Sequence, residues 1–314
     1  MSEMLLQVRG LKKQYQQKDS IIQAVDQVDI SLRAGEILGI VGESGCGKST
    51  LARCIIRLLS VDGGTILWQG QDISHASEKQ LRSLRPQMQM IFQNPYASFN
   101  PRFSAGHALQ QVGRFYGLTP EAYQAKLKEL LTYCEIDEEL LDRRPSQLSG
   151  GQLQRLAIVR ALLPSPKLLI ADEAVSALDV SVQESILTLL RDLRDRYGIA
   201  VLFISHDLAV VKALCQRVVV MYRGRIAEEG ETQQLFRAPA HPYTRALLSA
   251  RPRLGEHRKE ERILLEGDVS DAKGCEDGCL FANRCYMELV EDCRNDRPKM
   301  ADLGNGHRAA CHKI

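Results

Sequence analysis

Apolar residues along the chain follow two rhythms, and the switches between them predict where strands give way to helices. The first forty residues alternate in part, as MLLQVRG and then QAVDQVDISL, which is the period of half-buried strands. ILGIVG, Ile37 to Gly42, is a continuous apolar run closed by glycine and fits a strand covered on both faces. A helix is expected to open at Lys48 and run through LARCIIRLL, and QMQMIFQ, Gln87 to Gln93, reads as a further strand. From Pro101 to about Pro166 the period lengthens, and EAYQAKLKELLTYCEI and QLQRLAIVRALL read as amphipathic helices. Strand signals return in KLLIAD and AVLFIS, with a helix VQESILTLLRDLRDRYG between them that ends on a basic turn and Gly198. Strands alternating with helices predict an α/β fold with a mostly parallel sheet core, N-terminal antiparallel strands and a helical subdomain inserted at about 95–165. After RVVVMYRGRIAEEG the composition turns polar and loop-rich, which sets an expected boundary near 232. The chain is thus divided into 1–232 and a small extension, 233–314.

Composition narrows the setting. A length of 314 residues suits two cores, and 44% hydrophobic with 25% charged residues is ordinary for a globular chain. A formal net charge of only +2 gives no general case for binding nucleic acid or a polybasic membrane anchor. MSEMLLQVRG lacks the basic and apolar regions of a signal peptide. No apolar run reaches the ~18 residues that span a bilayer. A cytoplasmic setting follows as the expectation, with any membrane attachment made through a partner.

The chemistry starts at GESGCGKST, Gly42 to Thr50, placed between a predicted strand and a predicted helix. Gly42, Gly45 and Gly47 let the backbone curl so that its N–H groups face a phosphate, and the helix N-terminus adds partial positive charge. Ser44, Cys46 and Thr50 complete the loop, Lys48 reaches the β- and γ-phosphates, and the Ser49 hydroxyl is placed to ligate Mg²⁺. ATP is the ligand this spacing anticipates. Cys46 is read as inert, with a lowered pKa at the helix N-terminus as the alternative. KLLIADE brings Asp172 to the carboxyl end of a buried strand, where it can hold magnesium, and Glu173 next to it can polarise the attacking water.

LSGGQLQR, Leu148 to Arg155, resembles the signature of the ATP-binding-cassette (ABC) ATPases, and the family's other elements follow in order over residues 4 to 250. The resemblance implies a P-loop ABC ATPase fold and assigns roles. Gln93 in IFQNP would sense the γ-phosphate and magnesium, and Asp179 in SALD would lie on a loop that crosses a dimer interface. His206 in ISHD would contact the γ-phosphate. Tyr15 would stack on adenine, although a strand-edge packing role stays open. Ser149, Gly150, Gly151 and Gln152 would cap a nucleotide held by a second ATPase subunit, read as a paralogue. ATP would then join the pair, and hydrolysis would release it. NPYASFNPR, the Ala174–Val175 pair after Glu173, and RAPAHPYTRALLSARP resemble segments of oligopeptide, dipeptide and nickel importers. The implied partners are two transmembrane permease subunits and an extracytoplasmic substrate-binding protein, with this chain peripheral on the cytoplasmic face of the membrane. Small peptides are the expected cargo, and nickel or another metal chelate is the alternative.

Five of the nine cysteines lie in the last forty residues. The likeness of GCLFANRC to the tails of peptide importers singles out Cys279, Cys285, Cys293 and Cys311 as ligands of a [4Fe-4S] cluster and leaves Cys275 spare. Zinc, with His307 and His312 beside Cys311, is the rival, and reduced thiols are the plain alternative.

Overall fold

The computed structural model describes residues 3–17, 20–176, 178–250, 263–265 and 277–314. Its strands in chain order are β1 (Met4–Gln17), β2 (Ser20–Arg33), β3 (Ile37–Val41), β4 (Gly63–Trp68), β5 (Gln71–Asp72), β6 (Met88–Ile91), β7 (Leu168–Asp172), β8 (Ala200–Ile204), β9 (Arg217–Tyr222), β10 (Arg225–Glu231), β11 (Ala301–Asp302) and β12 (Arg308–Ala309). Two compact units emerge. One contains Arg33–Glu36 and Ala76–Ile204; the other contains Met4–Leu32, Ile37–His75 and Ser205–Ile314.

In the first unit β7 lies between β6 and β8, parallel to both. Every residue of β7 and β8 is buried, as the apolar runs 168–171 and 200–204 require of a parallel sheet covered on both faces. Helices Ala105–Phe115, Pro120–Tyr133 and Gly150–Leu162 fill the predicted helical block. Ser104 and Thr119 cap the first two by accepting N–H bonds from His107 and Ala122. Helix Val180–Tyr197 ends at Gly198 in the left-handed conformation, as the basic turn before that glycine predicts.

The second unit carries an antiparallel sheet ordered β2-β1-β4-β5 and, separately, the strands β11-β12-β10-β9-β3, of which only β3 and β9 pair in parallel. β4 and β5 were not anticipated, yet the Gln69–Gly70 turn between them, with both φ positive, is a hairpin signal. The helix at Lys48 stops at Ile55, short of the predicted Leu59. There Arg57 takes a positive φ and spends its guanidinium on the carbonyls of Ile73 and Leu59.

Residues on both sides of 232 belong to this one unit. Just before the expected boundary two acids are buried: Glu228 is 0% and Glu229 4% exposed. Glu228 accepts bonds from the backbone N–H groups of Ala240 and His241, and its Oε1 pairs with His307 Nε2 at 2.7 Å. Glu229 pairs with Arg308 on β12. The extension is therefore held to β10 by acids that composition alone assigns to solvent.

His241 makes this docking pH-sensitive. It is buried, its Nδ1 accepts the Tyr243 N–H at 3.0 Å to cap helix Pro242–Ser249, and it shares a backbone hydrogen bond with Ala310. Burial, opposed by the Ala310 bond, pushes its pKa down to about 4. The unfolded chain then binds the extra proton first, so stability is lost as pH falls from about 6.5 toward 4. Between pH 7 and pH 5 the wild-type chain is expected to lose about 2 kcal/mol more than His241→Asn, which keeps a cap acceptor without the titration. Urea unfolding at the two pH values measures it; equal losses would refute the assignment.

Candidate functional site

The phosphate loop leaves buried β3 and enters helix Lys48–Ile55 through Gly47, whose φ is +106°. Gly42 and Gly47 are where the backbone passes closest to its neighbours. A Cβ on Gly47 would lie 2.0 Å from the Ala24 carbonyl oxygen, and one on Gly42 would lie 2.3 Å from that of Met221. The N–H of Gly224, in the β9–β10 turn, donates to the Cys46 carbonyl at 2.8 Å. Lys48 is 4% exposed, and its Nζ donates to the Gly42 and Glu43 carbonyls, both at 2.8 Å. Ser44 and Gly45 face solvent, and Ser49 and Thr50 are half-buried on the first helical turn. Cys46 is buried, and loss of solvent pushes its thiol up despite Lys48 Nζ at 3.7 Å from Sγ. The alternative of a lowered pKa is thereby corrected: desolvation outweighs the nearby cation.

His206 belongs to this same unit and is exposed, just before Asp207, which caps helix Leu208–Leu214. Tyr15, near the end of β1, offers an exposed ring, with Lys13 Nζ 5.7 Å from its centroid. An exposed aromatic face is what adenine stacking needs.

The other unit brings two predicted residues into contact. Glu173 follows β7 with φ +48°, and its Oε2 accepts a bond from Gln93 Nε2 at 2.7 Å. Its N–H donates to the Ile204 carbonyl, which ties the turn to the end of β8. Asp172, the last residue of β7, is buried. Positive φ at a glutamate is strained backbone of the kind found at functional sites.

The signature has a structural account as well. Ser149 Oγ accepts the Gln152 N–H and Gln152 Oε1 accepts the Ser149 N–H, a capping box for helix Gly150–Leu162. A Cβ on Gly151 would lie 2.8 Å from Val182, so glycine lets that helix approach Val180–Tyr197. Asp179 caps the latter helix through the Val182 N–H, and that bond first, with Ser181, lowers its carboxyl pKa. Ala177, within SALD, lies outside the described residues. Tyr96, which sequence reasoning missed, donates its hydroxyl to the Leu148 carbonyl at 3.2 Å and so joins the segment after Gln93 to the signature.

Cys279, Cys285, Cys293 and Cys311 line one cavity of about 20 Å³; Cys275 lies outside the described residues. Among the described residues no three His, Cys, Asp or Glu side chains are arranged to hold a metal ion, so the structure lends no support to the cluster or zinc expectations. The cavity has room for about one water. Burial, the largest cause, pushes the Cys279 thiol up to about 11 and that of Cys285 upward. His307 is engaged with Glu228, and His312 Nε2 meets the Asp296 carbonyl at 2.9 Å.

A phosphate loop at a strand–helix junction, with an acid pair at the end of a buried parallel strand, defines a P-loop nucleotide-binding ATPase. The chain belongs to the ABC transporter family. The model of that family matches residues 25–176, and the model "Oligopeptide/dipeptide transporter, C-terminal region" matches 227–293. A probable peptide ABC transporter ATP-binding protein of Sinorhizobium fredii is 45% identical over 99% of this chain and 90% of its own length. The oligopeptide transport ATP-binding protein AppF of Bacillus subtilis is 42% identical over 99% of this chain and 97% of its own. The dimeric ATP-binding cassette MJ0796, solved with ADP and Pi, matches with a TM-score of 0.65 at 27% identity, covering 73% of this chain and 99% of that one. The P-loop ABC ATPase fold is thereby established. Among the described residues no helix is long and apolar enough to cross a membrane.

Proposed function

We propose that this chain is the ATP-hydrolysing subunit of an importer for small peptides, attached peripherally to two permease subunits that an extracytoplasmic binding protein supplies. One observation carries the reading: a region matching the ABC transporter family is followed in the same chain by a C-terminal region of the oligopeptide/dipeptide type. Lys48 and the loop amides would bind the phosphates, and Tyr15 would carry the adenine. Ser49, Gln93 and Asp172 offer hydroxyl, amide and carboxylate oxygens, the hard donors that Mg²⁺ takes, and the bound ion would neutralise phosphate charge. Glu173, oriented by Gln93, would accept a proton from the attacking water. His206 would report the γ-phosphate. Ser149 to Gln152, at the N-terminus of a thirteen-residue helix, would meet a nucleotide on a second ATPase subunit.

The cargo is tested with the chain assembled with its permeases in proteoliposomes. Binding protein loaded with di- or oligopeptide is expected to raise ATP turnover, read as phosphate release. Stimulation by a nickel chelate and by no peptide would overturn the peptide assignment while leaving the ATPase role in place.

A further inference from the structure

Glu43 is the second residue of the phosphate loop, and a carboxylate there is out of place: it would repel the polyphosphate the loop has to receive. The structure neutralises it. Arg284 grips it with two bonds, Nη1 to Oε2 at 2.7 Å and Nη2 to Oε1 at 3.0 Å, with the arginine side chain 6% exposed. Paired guanidinium–carboxylate bonds of this form fix orientation as well as charge. The Glu43 N–H donates to the Tyr243 hydroxyl at 2.9 Å, and its carbonyl accepts from Lys48 Nζ at 2.8 Å. Two of these three partners come from the C-terminal extension, and the third is the phosphate-binding lysine.

The arginine is itself held in place. Its turn, Ala282–Arg284, is closed by the Ala282 N–H to the Cys279 carbonyl and the Cys285 N–H to the Ala282 carbonyl. Buried Phe281 packs edge-on to Tyr222 at 5.3 Å and against Tyr243 at 5.5 Å between ring centroids. The cysteine-lined turn and the aromatic group thus present Arg284 to the loop from a fixed base.

We propose that Arg284 is a positioning residue for the phosphate loop, and that through it the C-terminal extension is a working part of the ATP site. The inference rests on the ATPase reading above. Arg284 cancels the Glu43 charge and, with Tyr243, fixes the residue whose carbonyl holds the Lys48 ammonium. Without it, the carboxylate turns on Lys48 and competes with phosphate for the same cation.

Titration of the full chain with a fluorescent ATP analogue tests this. Arg284→Gln is expected to weaken binding about tenfold, and Arg284→Lys, which keeps the charge and loses the fork, about threefold. The double variant Glu43→Gln/Arg284→Gln is expected to return to within about threefold of wild type, because no unpaired carboxylate remains. Arg308→Gln, which loosens the β12 tether to Glu229, is expected to lower the melting temperature and leave ATP affinity unchanged. The proposal falls if Arg284→Gln behaves like Arg308→Gln, or if the double variant binds as weakly as the single one. Should Arg284→Gln fail to fold, Arg284→Lys and the double variant still decide. Lys48→Ala separates the two readings: its binding like wild type would sink the ATP site itself, whereas its loss of binding beside an unaffected Arg284→Gln would sink only this proposal.

Discussion

Replacing Glu173 by glutamine is expected to lower ATP turnover by about 10²–10⁴-fold, the usual contribution of a positioned general base, while ATP affinity stays near wild type. The amide keeps the size of the carboxylate, and its oxygen can still accept the Gln93 bond now made at 2.7 Å. It cannot take a proton from water. The loop that binds phosphate, Gly42 to Thr50, is untouched in the variant. If ATP joins this chain to a second ATPase subunit as proposed, a variant that binds but does not hydrolyse is also expected to remain paired in ATP under conditions where the wild type separates. Phosphate release, analogue titration and size-exclusion chromatography in ATP read the three quantities. Turnover at the wild-type rate would remove Glu173 from the chemistry. Lost binding would mean that the Glu173 turn has a structural role the wider site depends on.

The parts of this fold that sequence reveals are those where local chemistry and tertiary demand agree. β3 and β8 are apolar from end to end, and β7 up to its terminal Asp172, because both their faces are covered, and the glycines of the phosphate loop announce the turn that follows β3. The phosphate loop, Gly42 to Thr50, was read from a spacing that a bound phosphate imposes, whereas the roles proposed for Tyr15, Gln93, Asp179, His206 and Ser149 to Gln152 came from the resemblance to ABC ATPases. The extension was less legible, because it is held by long-range polar contacts. Glu228 and Glu229 carry no sequence mark that distinguishes a buried anchor from a solvated pair, and His307, 79 residues from Glu228, was read as a possible metal ligand. Arg284 was visible only as part of a family-like GCLFANRC. Its partner Glu43 is 241 residues away, and no periodicity links the two. Spacing can place four cysteines near one another, as they are around a single cavity, but it does not fix whether their sulfurs converge.

Gly47→Ala is expected to weaken ATP binding by about 10²-fold, the scale on which a misplacement of ~1 Å acts at a reacting site, and to lower the melting temperature. Gly45→Ala should do far less, and the contrast carries the argument. Both glycines have positive φ, +106° and +77°, so a methyl group strains the backbone at either, by about 1–2 kcal/mol. Around Gly45 that is all, since a Cβ there meets nothing within 4 Å. At Gly47 it meets the Ala24 carbonyl oxygen at 2.0 Å and lies 3.5 Å from Gly224 Cα, both main-chain atoms that cannot rotate aside. Relief requires the loop to move off β2. That movement strains the Gly224-to-Cys46 bond, which holds the loop against the β9–β10 turn, and carries Lys48 with it. Analogue titration of the two variants in parallel separates close packing from conformational strain. Equal losses at Gly45 and Gly47 would show that φ alone governs the loop and that its contact with Ala24 is incidental.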